Sequence, residues 1–458
     1  MSQHVNDIQM HPVKSTIMLG IPIILLFFLD SLYSVADVYW VSGLGTAAII
    51  CMGFISNIIY AIDNLGEGIG RSCNVLISNA FGANQIEKTE KYAEQGLLLI
   101  LLLSIIIPFV TIPFVEPICV MAGISEYTDM IFAYLAPCLC FVITIMINNF
   151  FCAVLASEGD TARSSIIVAA GNILNIILDP ILIFYFKMGM LGAAVSTVFG
   201  GLLSILLFVY IYSIKKDTLV KVHLKGFRLD LGIIREIIVL AIPIIITSVI
   251  ITALGIVVTY SLHLYASPIA VSAYIILLNV QSTVFSPIQG IMKGLCIVTG
   301  HLNGAKRFIE LRWTIRKIFS MCFVLAIAIS IALAVFHGPI VGLFSSEYVI
   351  LEEVKNMLLF TILYMITFPI IMGCSYVFLG LEKSTYTLMF LIFNLIIMII
   401  SMISFNHIFG LNKSGIFLSI ILSNTIEAIA MIVVLKRMLD SKIENSEIEN
   451  RTSISIGD

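Results

Sequence analysis

The chain has 458 residues, of which 60% are apolar and only 12% charged, and its mean hydropathy is +1.08. A soluble chain carries about 25% charged residues. Too little polar surface is available here to dissolve a core of this size, and a DNA-binding protein, a disulfide-rich secreted scaffold and a disordered hub are all excluded. The net charge of −3 says little, because what orders such a chain is where its charges sit.

The first 13 residues are polar and lack the basic flank and short apolar core of a cleaved signal peptide, so the first apolar run is expected to remain as a transmembrane helix. About 20 mainly apolar residues carry a helix across the hydrocarbon core. Twelve such segments follow in order: 16–41, 47–76, 94–117, 129–156, 164–186, 190–214, 236–264, 269–299, 314–341, 352–379, 385–409 and 414–435. None has the period-two alternation of a barrel strand, so the expected fold is an all-α polytopic membrane protein. Several runs exceed what a span needs, and tilting or protrusion absorbs the excess.

Polar residues inside these runs carry the information. In the first span Asp30, Ser34 and Asp37 fall at i, i+4 and i+7, one stripe of a helix. A charge at the centre of a membrane helix costs about 2.5–3.5 kcal/mol on insertion scales, so such groups usually face a cavity and have a task. In the second span Asp63, Glu67 and Arg71 stand at i, i+4 and i+8 beside Gly66, Gly68 and Gly70. Glu67 and Arg71 are spaced for an ion pair and read as a neutralised structural couple, with the glycines permitting close helix approach. The fifth span places Asn172, Asn175 and Asp179 at i, i+3 and i+7, directly before Pro180. Proline has no N–H, so the Ile176 carbonyl loses its helical partner. A carboxylate, two amide oxygens and a freed carbonyl are hard donors that suit a small cation or a proton relay. Beyond the midpoint only Glu427 lies well inside a span.

Orientation follows from the basic residues. With the N-terminus inside, twenty Lys and Arg fall on that face, Lys216 and Lys225 among them, against Lys187, Lys355 and Lys413 outside. That bias puts both termini in the cytoplasm. The halves also repeat. "LGIP" ending at Pro22 recurs as "LAIP" ending at Pro243, an offset of 221. At an offset of 222, Asn57 meets Asn279, Arg71 meets Lys293 and Asn172 meets Asn394, while Asp37 and Asp179 meet Thr259 and Ser401. Six spans per repeat keep the orientation, which relates the halves by an axis along the membrane normal. The expected organisation is a cytoplasmic segment 1–13, an N-lobe 14–214, a basic linker 215–235, a C-lobe 236–437 and a cytoplasmic tail 438–458. Two six-helix lobes would face a central cleft, with the coupling chemistry in the N-lobe.

Other chemistries lack their motifs. There is no GxxxxGK[ST] loop, so ATP-driven transport by this chain alone is excluded, and no HExxH or GxSxG supports an intramembrane hydrolase. His263, His337 and His407 lie near outer span ends, where histidines face water. Nine cysteines, odd in number and without a CxxC, read as small buried hydrophobes. The chain is not expected to be an enzyme.

The runs "DVYWVSGLGTAAI" from Asp37, "FGANQ" from Phe81, "EGDTARS" from Glu158, "GNILNIILDPILI" from Gly171 and "GMLGAAVST" from Gly189 resemble the multidrug and toxic compound extrusion (MATE) family of cation-coupled antiporters, over roughly 14–437. The resemblance implies export of organic, cationic or amphipathic compounds against Na⁺ or H⁺, across the plasma membrane, by alternating access of the lobes. It implies a cation site at Asp37, Asn175, Asp179 and Thr197, a place for Na⁺ if that is the coupling ion. Asp30 and Asn149 match positions lining the family's substrate cleft, and Asn172 is grouped with them. No cofactor is expected beyond the coupling ion. The expected partners are small organic substrates and membrane lipids, without nucleic acid, for a chain acting as a monomer. Members with a C-lobe cation site carry acids in spans seven and ten, which this chain lacks. The alternative is a flippase of the same fold for a lipid-linked oligosaccharide or peptidoglycan precursor. Such proteins tend to have more basic clefts, whereas only Arg71 and Lys293 sit in spans here. A non-transporting membrane enzyme or scaffold is the third reading, opposed by the absent motifs and short loops.

Overall fold

The computed structural model of the chain describes residues 3–215, 217–222, 227–342 and 348–456; Lys216 and Lys225 of the basic count lie outside them. The described residues form helices and turns, with no strand among them. A short α1 (Gln3–Met10) precedes α2 (Pro12–Ser42), α3 (Thr46–Gly82), α4 (Ile86–Met121), α5 (Thr128–Cys140), α6 (Ile143–Ser157), α7 (Thr161–Pro180) and α8 (Met190–Val209). The second half holds α9 (Leu231–Tyr265), α10 (Pro268–Gly304), α11 (Phe308–Gly342), α12 (Tyr348–Gly380), α13 (Ser384–Ile403) and α14 (Asn412–Ile456). Among the described residues, eleven helices are long and apolar enough to cross a membrane, or twelve spans if the bent pair α5–α6 counts as one. In hydrocarbon a helix is the structure that satisfies every backbone N–H and C=O within one segment, and these runs take it. Large apolar side chains stand exposed in both units, among them Phe109 at 78%, Ile214 at 70% and Val324 at 62%. So much open apolar surface is a lipid-facing belt, because water would not tolerate it. The chain is a multi-span membrane protein.

The fourth span departs from the sequence reading. Residues 129–156 form two helices bent by 47°. Pro137 supplies no N–H, Phe141 leaves helical geometry at φ −110 and ψ 25, and the next turn tightens through Val142 N–H to the Leu139 carbonyl at 3.2 Å. Helix α14 continues through residue 438, where the tail was expected to begin, to Ile456.

The chain divides into two compact units. One comprises Met1–Asp7 and Ile21–Ile245, the other Ile8–Gly20 and Ile246–Asp458. The chain changes units inside α1, inside α2 and inside α9, the last two beside the repeated Pro22 and Pro243. In the first unit α3 packs on α4 and α6, and α8 packs on α5 and α7. In the second, α10 packs on α12 and α13 on α14. Close backbone approach needs glycine at particular places. A Cβ on Gly171 would lie 2.6 Å from the Gly200 carbonyl oxygen, and one on Gly200 would lie 2.6 Å from that of Gly171. Helices α7 and α8 therefore touch backbone to backbone.

Candidate cation site

Four helices of the first unit bring the polar stripes together. Tyr33 and Asp37 lie one turn apart on α2, and Asn175 and Asp179 one turn apart on α7. Just past Asp179 and Pro180, the chain widens into a π-helical turn over Ile181–Tyr185. Such turns free backbone groups and recur at functional sites. Gly189, at φ 57, then starts α8, and Gly192 lets the π turn lie on that helix, since a Cβ there would come within 2.8 Å of the Leu182 carbonyl carbon. The hairpin so formed sets Ser196 and Thr197 of α8 against Asn175 and Asp179 of α7.

The contacts are specific. The Asn175 amide donates to the Ser196 hydroxyl at 3.3 Å and to the Thr197 hydroxyl at 3.1 Å. Ser196 donates to Asp179 Oδ1, and its hydroxyl also lies 2.8 Å from the Ala193 carbonyl oxygen. Thr197 meets the Tyr134 hydroxyl at 3.4 Å, and Tyr33 stands close by, within electrostatic range of Asp37. Asp37 stands within electrostatic range of Asp179. Asp37, Asn175 and Asp179 are 6%, 2% and 0% exposed. Each keeps a buried oxygen without a hydrogen-bond partner: Asp37 Oδ1, Asn175 Oδ1 and Asp179 Oδ2. Buried polar atoms are nearly always satisfied, so three orphaned oxygens in one cluster are exceptional. All are hard donors, and with the hydroxyls they match what a small monovalent cation or a proton takes.

The structure thus brings Asp37, Asn175, Asp179 and Thr197 into one cluster. Sequence reasoning missed Ser196, Tyr33 and Tyr134. Ser196 sits beside Thr197, and Tyr33 precedes Asp37 by one turn, so both were within reach of helical spacing. Tyr134 carried no such signal. The three proposed cleft residues take part in two hydrogen-bonded pairs. Asn172 donates to Asp30 Oδ1 at 2.7 Å, whereas Asn149 donates to Asp63 Oδ1 at 2.8 Å. The Glu67–Arg71 pair forms as expected, with Arg71 Nη2 2.5 Å from Glu67 Oε1. In the second unit Glu427 is 3% exposed and accepts from the Asn394 amide at 2.8 Å. There a groove of about 570 Å³ runs along α9 and α10, lined by Thr252, Thr259, Tyr260 and His263 among apolar side chains.

Fold and site together define a helical membrane protein of two repeats, with an acid–amide–hydroxyl cluster in the first. The chain belongs to the MatE family, whose family model matches residues 22–181 and 243–403, more than half of its length. It is 25% identical over 450 residues to the multidrug export protein MepA of Staphylococcus aureus (strain MSSA476), covering 95% of this chain and 96% of that one. To the MepA of Staphylococcus saprophyticus it is 26% identical over 442 residues, 93% of this chain and 94% of the relative. Among solved structures, a MATE protein in the bent conformation superposes with a TM-score of 0.93 at 23% identity, covering 98% of this chain and 100% of that chain. An outward-facing multidrug resistance MATE family transporter of the MOP superfamily gives 0.92, also at 23%, covering 96% and 99%. At that identity the structural likeness concerns the fold alone.

Proposed function

We propose that the protein is a secondary antiporter of the plasma membrane, exporting organic cationic or amphipathic compounds in exchange for Na⁺ or H⁺. The observation that carries this reading is the set of orphaned oxygens on Asp37, Asn175 and Asp179, buried within membrane helices. The relatives named multidrug export proteins support the substrate class, and the apolar groove with a few polar groups in the second unit suits an amphipathic guest. A cation bound between α2 and α7 neutralises charge that otherwise holds these helices apart. A ligand shifts a conformational equilibrium only by its differential affinity for the two states, so coupling requires the cluster to be tighter in one of them. Alternating access of two lobes about a central cleft, with both termini cytoplasmic, completes the proposal. The flippase reading asks for basic groups to hold a pyrophosphate. Arg71, one of the two basic residues placed in spans, is already paired with Glu67.

The test is efflux of a fluorescent organic cation from proteoliposomes, with Na⁺ and pH gradients imposed separately. Acceleration by at least one inward gradient is expected. Efflux indifferent to both gradients would defeat the antiport.

A further inference from the structure

Glu158 closes α6 on the face that the basic residues assign to the cytoplasm, and it opens the "EGDTARS" run that the transport proposal does not use. Its side chain is only 5% exposed although it lies between helices. Both carboxyl oxygens are committed to the linker that joins the repeats. The Leu219 N–H donates to Oε2 and the Val220 N–H to Oε1, each at 2.9 Å. Val220 itself is fully buried. A second contact lies alongside, where Arg163 of α7 pairs with Asp160 and, at 2.9 Å, with Asp217 of the linker. Lys215, at the end of the π-helical turn Tyr210–Lys215 that follows α8, meets the same Asp217 at 2.8 Å. One short stretch of linker is thus fastened to the helices of the first repeat by a buried acid and an ion-pair cluster.

We propose that Glu158 and the Leu219–Val220 backbone form a pH-sensitive clasp, which fastens the inter-repeat linker to the helices of the first repeat and tightens as its surroundings turn acidic. The physical basis is burial. Removal from water pushes the Glu158 carboxyl up to about 7, against the opposing pull of the two N–H donors, with Asp160 adding to the rise and Arg163 opposing it. When the linker lifts away, water returns and the ordinary carboxylate value returns with it. The clasped state therefore binds a proton more tightly than the released one. Its extra stability is full below the ordinary carboxylate range and is lost as pH rises through about 7. A protonated Glu158 still accepts through its carbonyl oxygen and has an O–H to donate. The Tyr212 hydroxyl, within electrostatic reach of Glu158, is buried and without a hydrogen-bond partner. Among the described residues, the other ionisable groups around the clasp include Asp160 at the N-cap of α7, Arg163 on α7, Cys152 on α6 beside Tyr212, and Lys215, Asp217 and Lys221 at the linker. Of these, Asp217 is held below the usual carboxylate range, chiefly by its bond to Lys215, and titrates elsewhere on the pH scale.

The clasp stands whether or not the chain exports drugs, and its test needs no transport. Hydrogen exchange is measured on the full-length protein in nanodiscs at pH 6 and pH 8, following the Leu219 and Val220 amides after correction for their intrinsic rates. A carboxyl at about 7 when clasped and near 4.5 when released gives roughly tenfold more protection at pH 6 than at pH 8. Glu158→Gln should flatten that ratio, whereas Asp217→Asn should lower protection at both pH values and leave the ratio standing. The amides of α7 report whether each variant is folded. Should Glu158→Gln lose that protection, the wild-type ratio and its persistence in Asp217→Asn decide the matter. Equal protection of the wild type at both pH values, no protection at either, or a ratio that survives in a folded Glu158→Gln protein would overturn the proposal.

Discussion

The candidate site turns on what a single hydroxyl can do. Ser196 has one proton to give. It donates to Asp179 while accepting from Asn175, and the Ala193 carbonyl lies close enough to serve as an alternative acceptor. Replacing it with alanine leaves Asp179 Oδ1 and the Asn175 amide each short of a partner inside the membrane. A hydrogen bond to a charged group contributes about 1.5–3 kcal/mol, so Ser196→Ala is expected to weaken cation binding roughly tenfold or more. Calorimetric titration of the purified protein with Na⁺ reads this directly, and an unchanged affinity would remove Ser196 from the site. Asp37→Asn and Asp179→Asn should go further and abolish cation-driven efflux, while expression and the thermal midpoint stay near those of the wild type. The neutral amide keeps the volume and an acceptor oxygen, so what it removes is the charge. Normal efflux by either variant would mean that its aspartate does not couple transport.

At the scale of helices, the α7–α8 hairpin holds the site because two glycines let their backbones meet. Gly171→Ala or Gly200→Ala pushes a methyl group against a main-chain carbonyl that cannot swing aside. Overpacking of this kind costs about 1–3 kcal/mol, and a lowered thermal midpoint with weaker cation binding is expected. Gly53→Ala, whose added Cβ would find nothing within 4 Å, is the control and should leave both unchanged. The sequence carried most of this level. Twelve apolar runs announced the spans because bilayer thickness fixes a length that composition alone reveals. Helical spacing put Asp37 on one polar stripe and Asn175 with Asp179 on another, and the resemblance to the MATE family is what grouped Asp37, Asn175, Asp179 and Thr197. The bend at Phe141 could not be read. Pro22, Pro108, Pro113 and Pro117 lie within α2 and α4, which the structure keeps as single helices, so Pro137 looked no different in sequence. Whether a missing N–H breaks a helix depends on what packs against the freed carbonyl, and that is tertiary information. The pairing of Asn149 with Asp63, rather than with Asp30 and Asn172, was hidden for the same reason.

Across the whole molecule, the two repeats agree in fold and differ in chemistry. Where the first repeat has Asp37 and Asp179, the second has Thr259 and Ser401, whose hydroxyls bond the Gly255 and Ile397 carbonyls of their own helices at 2.8 and 2.7 Å. Glu427 stands apart, accepting from Asn394, which also donates to Asn424 at 3.1 Å. Glu427→Gln should therefore leave the Na⁺ and pH dependence of efflux as it is, and a lost dependence would move part of the coupling into the second repeat. The antiport proposed above would confine the cation chemistry to one repeat, and this bears on the driving ion. Asp37 and Asp179 lie close together in a weakly solvated pocket whose remaining donors, Asn175, Ser196 and Thr197, are neutral. A proton and a Na⁺ must then claim the same oxygens. Each excludes the other, and because the two carboxylates interact, any measured titration belongs to the pair. Apparent Na⁺ affinity is accordingly expected to fall as pH drops from about 8 to about 5, by up to tenfold per pH unit where one proton competes directly. Calorimetric Na⁺ titrations across that range supply the measurement. A constant affinity would mean that the two ions use separate places, and no Na⁺ binding at any pH would leave the proton as the sole driving ion.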